Sequence, residues 1–482
     1  MWYNNSISDS GEGNVLENNQ LHKRYGLFTA ICMVVGIVIG SGVFFKAQDI
    51  LNYTGGNLLF GILAWVIGGV VMIICAFNFA NFATLYVKVN GIVDYAEAIV
   101  GERYAYMVGW FIATIYFPAM TAVLAWVSAR YTLLLFDPGA DITGGLCMAL
   151  GAFYLCLFYA LNMLSPKLAG HFAVSATVIK LIPLVFIIVV GTFCGLVNGN
   201  TVEAFASGAQ TVDADFSGVF SGIAAAVFAY EGWCVATSIN AELKNSKRDL
   251  PRALVIGTAI IMAVYILYFV GLTGGASTDV LMKEGATTAI KNLLGNVGGT
   301  VLNAFVVISC LGTLNGLMIA CPRAVYSIAM RGKGPKPALL ASVDGHTNMP
   351  ANAGVLALVI CGAWYFYFYG ANLTSPIFGA FSFDSSELPI ITTYAMYIPM
   401  FAMFAVKQGR KNVFKNAVMP LLAIIAALFM IFVAVYAHGI KPYRAAAANG
   451  QFAFPVLFYL IVFAVIMTVG ATLYQKKAGH GQ

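Results

Sequence analysis

Three short stretches place reactive or backbone-freeing residues where an otherwise apolar chain has no structural need of them. In "SATVIKLIPL" (175–184), Lys180 stands midway along an apolar run. In "FAYEGWC" (228–234), Glu231 follows two aromatics, and in "GIVIGSGVFF" (36–45), three glycines and a serine fall among β-branched residues. The last pattern opposes a continuous helix, because glycine and β-branched residues both have poor helix preference. A helix interrupted there exposes backbone amides at the half that begins and carbonyls at the half that ends. The amides and the positive dipole end suit a carboxylate, and the carbonyls suit an ammonium group. The chemistry indicated is reversible capture of a small zwitterion. Amides near Ser41, Gly42 and Val43 would take its carboxylate, and carbonyls at Ile37, Phe228 and Ala229 its amine.

Glu231 leaves three readings open at this stage. It can pair with a cationic substrate group, act as a proton-coupling site, or support the local fold through Lys180 or hydrogen bonds. Covalent catalysis is not indicated: neither a P-loop nor an HExxH pattern occurs, so an ATP-driven pump and an intramembrane protease are both disfavoured. The nine cysteines lie in or beside apolar segments without CxxC spacing, which points to neither a disulfide framework nor a metal site. No cofactor is expected. His171 and His438 fall at predicted helix ends and read as scattered surface residues.

The elements that must hold these groups follow from composition. Hydrophobic residues make up 60% of the 482 and charged residues 10%, against about 25% charged in soluble proteins. Runs of the roughly 20 apolar residues that span a bilayer recur along the chain. Twelve spans are expected, at 26–50, 58–86, 95–134, 143–163, 168–195, 216–240, 252–273, 298–330, 352–369, 387–406, 414–437 and 453–474. The third and eighth exceed a simple crossing and should tilt or extend beyond the membrane. Polar tails flank them at 1–24 and 475–482, and the first has no signal-peptide pattern.

An even number of crossings puts both termini on one side. Most of the 26 Lys and Arg then share that side, while Lys46, Arg130, Lys283, Lys291, Lys441 and Arg444 face the other. The loops at 196–215 and 370–386 carry neither residue type. This asymmetry orients both termini to the cytoplasm in an inner or plasma membrane. It also accounts for the net charge of +6 without nucleic acid.

The interruptions fall in the first and sixth spans. Paired breaks in corresponding helices of two halves are a strong sequence pointer to a transporter's midplane site. The expected architecture is therefore all-α, with 25–195 and 216–406 as inverted repeats and 407–474 as two appended helices.

Four motifs in order carry a family resemblance. "GIVIGSGVF" resembles the first-helix signature of the amino acid–polyamine–organocation (APC) superfamily, above all its L-type amino acid transporter branch and bacterial relatives. "FAYEGW" resembles the branch's sixth-helix motif, and "ELKNSKRDLPRAL" (242–254) its following segment. "SCLGTLNGLMIACPRAVYSIAMRGKGPKP" (309–337) resembles its eighth helix and loop. The resemblance implies a LeuT-type fold with five-helix inverted repeats, alternating access and amino acid substrates. It further implies that Lys180 replaces the cation of sodium-coupled relatives, with Tyr265 beside it, so that transport is sodium-independent. Glu231 occupies a variable position bordering the substrate side chain, which favours cationic amino acids. Phe228 is the implied gate, with Tyr230 and Trp233 packed behind it. "LFDPGADITGG" (135–145) lacks the cysteine by which animal members bind a partner subunit, so no disulfide-linked partner is expected. A polyamine antiporter of the same fold and a non-transporting sensor or channel are the alternatives.

Overall fold

The computed structural model describes residues 26–86, 91–137, 139–210, 216–234, 237, 243–373 and 377–475. The polar tails expected at 1–24 and at the extreme C-terminus lie outside these residues. Those described are almost entirely helical: α1 Leu27–Val38, α2 Gly42–Tyr53, α3 Leu58–Leu85, α4 Ile92–Ile99, α5 Glu102–Phe136, α6 Gly145–Leu164, α7 Pro166–Val197, α8 Asn200–Gln210 and α9 Ser217–Tyr230. Then follow α10 Ser246–Leu272, α11 Thr278–Glu284, α12 Ala286–Met330, α13 Pro337–Leu340, α14 Ala351–Asn372, α15 Leu388–Lys411, α16 Phe414–Ala447 and α17 Pro455–Gln475. Ten of these are long and apolar enough to cross a membrane, and the bent pair α1–α2 passes the same test when its two helices are taken together. Helix α9 is apolar but only 14 residues long.

Local chemistry sets several boundaries. Asn57 caps α3 by accepting a hydrogen bond from the Phe60 amide at 3.1 Å. Gly101, at φ 138°, separates α4 from α5, so the expected single span at 95–134 is two helices. A π-helical turn at Ile112–Tyr116 then interrupts α5. The eighth span does not simply extend outward either, because α12 kinks at Gly295 (φ 70°, ψ 178°). The expected sixth span at 216–240 stops being helical at Tyr230 and continues as turns over residues 231–234, beyond which most of it lies outside the described residues. Part of the stretch read as the loop 196–215 is helix α8.

Packing concentrates around the interrupted helices. Helix α9 lies against α2 and α3, and α10 against α1 and α3. Trp65 of α3 meets the rings of Tyr230, Tyr265 and Phe269 at 5.4–6.3 Å between centroids. On the other side α12 packs against α5, α7 and α14. Helix α17 is the least covered of the long helices, as suits a peripheral lipid-facing element.

Candidate binding site between the interrupted helices

Helix α1 ends at Val38 and α2 begins at Gly42, with 53° between them. Ile39 leaves the helical region at ψ 103°. Across from this gap, Glu231 ends α9 in extended backbone, and Gly232 adopts φ 104°, which favours glycine over any L side chain. The two breaks nearly touch. A Cβ on Gly42 would stand 2.9 Å from the Ala229 Cα.

Several carbonyls freed at these helix ends have donors. Lys180 Nζ donates to the Gly36 carbonyl. The Tyr265 hydroxyl lies 3.1 Å from both the Val38 and the Ala229 carbonyl oxygens, serving one end of each interrupted helix. The Phe228 carbonyl accepts from the Glu231 amide at 3.2 Å. Among the described residues the Ile37 carbonyl meets no donor, and the Gly42 and Val43 amides meet no acceptor. The Ser41 hydroxyl, fully buried, has no nitrogen or oxygen partner among the described residues and lies beside the Cys310 thiol. Unpaired polar groups at this depth are costly unless something fills the space between them.

That space is a cavity of about 300 Å³. Ile37, Ser41, Gly42, Lys180, Phe228, Ala229 and Glu231 all line it. Val43, Tyr230, Trp233 and Tyr265 do not. Tyr265 sits behind the helix ends it bonds. Tyr230 stacks on Tyr265 at 5.2 Å and donates to the Trp65 carbonyl at 3.0 Å. Trp233 packs edge-on against Phe79 and Tyr397.

The two intramembrane charges are not paired with each other. Glu231 accepts from the Tyr116 hydroxyl at 2.5 Å and from the Gly232 amide at 3.3 Å. Among the described residues it forms no ion pair, and neither does Lys180. A turn at Lys180 separates two helical segments of α7. Pro183 has no amide to donate to the turn before it, which eases that irregularity.

Other wall residues escaped the sequence reading. Tyr116, Met120 and Leu124 come from α5, Ala173 and Thr177 from α7, and Gly312, Thr313 and Gly316 from α12. The two glycines four apart offered a signal, since small residues at helical spacing admit close neighbours. Indeed a Cβ on Gly312 would meet that of Ala176 at 2.4 Å. Tyr116 offered none, because its position follows the π-helical turn.

A second charged group lies beside the cavity and corrects two readings. Lys46, expected on a membrane surface, is buried in α2, with Nζ 2.7 Å from Glu387 Oε1 and 3.4 Å from Asp49. His438, expected as a surface histidine, places Nε2 2.9 Å from Glu387 Oε2 with its side chain 12% exposed. Asp384 approaches Glu387 and His438 from the same side, and one carboxylate oxygen accepts from the Ser386 and Glu387 amides.

Comparison with known proteins accords with this arrangement. The family profile described as "Amino acid permease" matches residues 25–471. The serine/threonine exchanger SteT of Bacillus subtilis (strain 168) is 29% identical over 426 residues, covering 86% of this chain and 92% of that protein. The b(0,+)-type amino acid transporter 1 of Mus musculus is 26% identical over 407 residues, covering 80% and 81% respectively. With nearly its whole helical length matched, the chain belongs to the amino acid permease family of the APC superfamily, as a multi-pass membrane transporter and not an enzyme.

Proposed function

We propose that this permease carries amino acids by alternating access around the cavity between α1–α2 and α9, without sodium, and with a preference for cationic substrates. In this reading α1–α2 and α9 are the broken first and sixth helices of two inverted repeats, 25–195 and 216–406. Twelve crossings then leave both termini cytoplasmic. The Gly42 amide, with the Ser41 hydroxyl, receives the substrate carboxylate, and the Ile37 carbonyl receives its amine. Lys180 supplies the positive charge that would otherwise come from a bound cation. Phe228 closes over the substrate as the gate.

The observation that carries the reading is the unpaired lysine and glutamate on the wall of one cavity between two interrupted helices. Each has a neutral hydrogen-bond partner and no countercharge. A cationic side chain meeting Glu231 would form a charge-assisted contact in a low-dielectric site. The bonds from Tyr116 and Gly232 favour a second reading, in which Glu231 chiefly braces the turn after α9. Counterflow in liposomes tests both. Labelled arginine or lysine should exchange at the same rate in sodium and in choline buffer, and faster than labelled serine or leucine. Sodium-dependent exchange overturns the role given to Lys180, and equal rates for all substrates favour the bracing role of Glu231.

A further inference from the structure

The group around Glu387 lies outside the cavity yet reaches it. Glu387 is 1% exposed and meets a basic side chain on each carboxylate oxygen, Lys46 from α2 on one and His438 from α16 on the other. Lys46 sits one helical turn beyond Gly42, the first residue of α2. Its ammonium also lies over the Phe228 ring, 4.9 Å from the centroid, and that ring lines the cavity. Phe45 meets Phe228 edge-on at 5.4 Å. One buried carboxylate thus ties α2, the wall aromatic of α9, the start of α15 and α16 into a single layer.

A metal ion is a poor fit for the Asp384–Glu387–His438 cluster, because the Lys46 ammonium already stands 2.7 Å from Glu387. The remaining charges facing the layer are Asp49, which is 3.4 Å from Lys46, and Arg130 of α5, whose Nη2 reaches Gln48 Oε1 at 3.2 Å.

We infer that Lys46, Glu387 and His438 form a latch that holds α2 and the Phe228 ring across the cavity, so that opening on the α2 side requires parting Lys46 from Glu387. Lys46 is then a positioning residue, acting on the substrate only through Phe228 and the start of α2. His438 stays with Glu387 when Lys46 leaves, which keeps the exposed carboxylate from standing alone and makes the parted state reachable. Removing Lys46 leaves Glu387 with His438 alone, and removing Glu387 leaves Lys46 with Asp49 alone, so each single change unbalances a buried charge that the double change removes.

The latch rests on the transport reading, and two measurements on the full chain separate their failures. Amide hydrogen exchange is followed across residues 39–53, and counterflow of labelled arginine gives maximal rate and KM. In Glu387→Gln and Lys46→Met, amide exchange in this segment should rise about tenfold as local opening becomes easier. Maximal counterflow should change about tenfold while KM stays within about twofold, since cavity contacts are intact. The doubly substituted Lys46→Met/Glu387→Gln chain, freed of the stranded charge, should fold as well as the parent yet keep the fast amide exchange. If a single variant fails to fold, the double variant decides. Parental amide exchange in the variants that fold overturns the latch, as does a change confined to KM. A parent chain without counterflow overturns the transport reading instead, and leaves the amide-exchange comparison standing.

Discussion

The cavity and the Lys46 layer contain the same chemical groups, a lysine and a glutamate buried in apolar helices, in opposite arrangements. Around the cavity Lys180 holds a backbone carbonyl and Glu231 a tyrosine hydroxyl, and the two charges stay apart. In the neighbouring layer Lys46 and Glu387 meet at 2.7 Å, and a histidine and a phenylalanine ring complete the packing. Burial of a charge is costly in both places, and what differs is where the compensation comes from. Inside the layer it comes from the protein. At the cavity, in the proposed reading, it would be left partly to the substrate that enters.

The comparison can be broken most severely at the point where the two interrupted helices touch. Gly42→Ala should abolish counterflow, because the new Cβ meets Ala229 backbone at 2.9 Å and cannot be accommodated by a side-chain rotation. Gly40→Ala is its control: the nearest atom there is the Thr313 hydroxyl at 3.0 Å, which can turn away, so most activity should remain. Lys180→Met comes next, with counterflow of every amino acid reduced roughly a hundredfold, the equivalent of about 3 kcal/mol. Uptake that survives Lys180→Met, or that becomes cation-dependent only in the parent, would place the charge elsewhere.

Glu231→Gln sharpens the contrast by keeping shape and the Tyr116 contact while removing charge. Arginine and lysine counterflow should fall about tenfold or more, with neutral amino acids within about threefold. Equal losses for both substrate classes would identify a bracing role. The smallest effect is expected for Tyr265→Phe, which leaves two helix-end carbonyls without their donor and should lower unfolding stability by roughly 1–3 kcal/mol. Thermal unfolding of the detergent-solubilised variant measures it, with substrate specificity unchanged.

How much of this was legible in the sequence depended on how local the cause was. The break at 39–41 was plain from Gly40, Ser41 and Gly42, because backbone preference is a property of neighbours in the chain. The long apolar segments were plain for the same reason, and most helices fall within a few residues of the expected spans. The break at Gly101, which needed one glycine in an unusual backbone state, was hidden inside the run 95–134 that read as continuous, and Gly295 lay ahead of the expected span 298–330 in a stretch not read as helix. Tyr116 reached the cavity through a π-helical turn set by packing, which no spacing announced. Lys46 and His438 were misplaced because a residue near the end of an apolar run looks superficial until its partner is in view, here Glu387, 341 residues from Lys46 and 51 from His438.

Tyr265 joins the two interrupted helices through a single hydroxyl. A phenol carries a single hydrogen, and the carbonyl oxygens of Val38 and Ala229 compete for it at equal separations of 3.1 Å. Whatever one helix terminus gains in this arrangement the other forfeits, so the total is nearly indifferent to which of them holds it. A slide of either strut past the ring would hand the proton across without stranding the hydroxyl, so the tie would act as a low-friction bearing if the two move relative to each other.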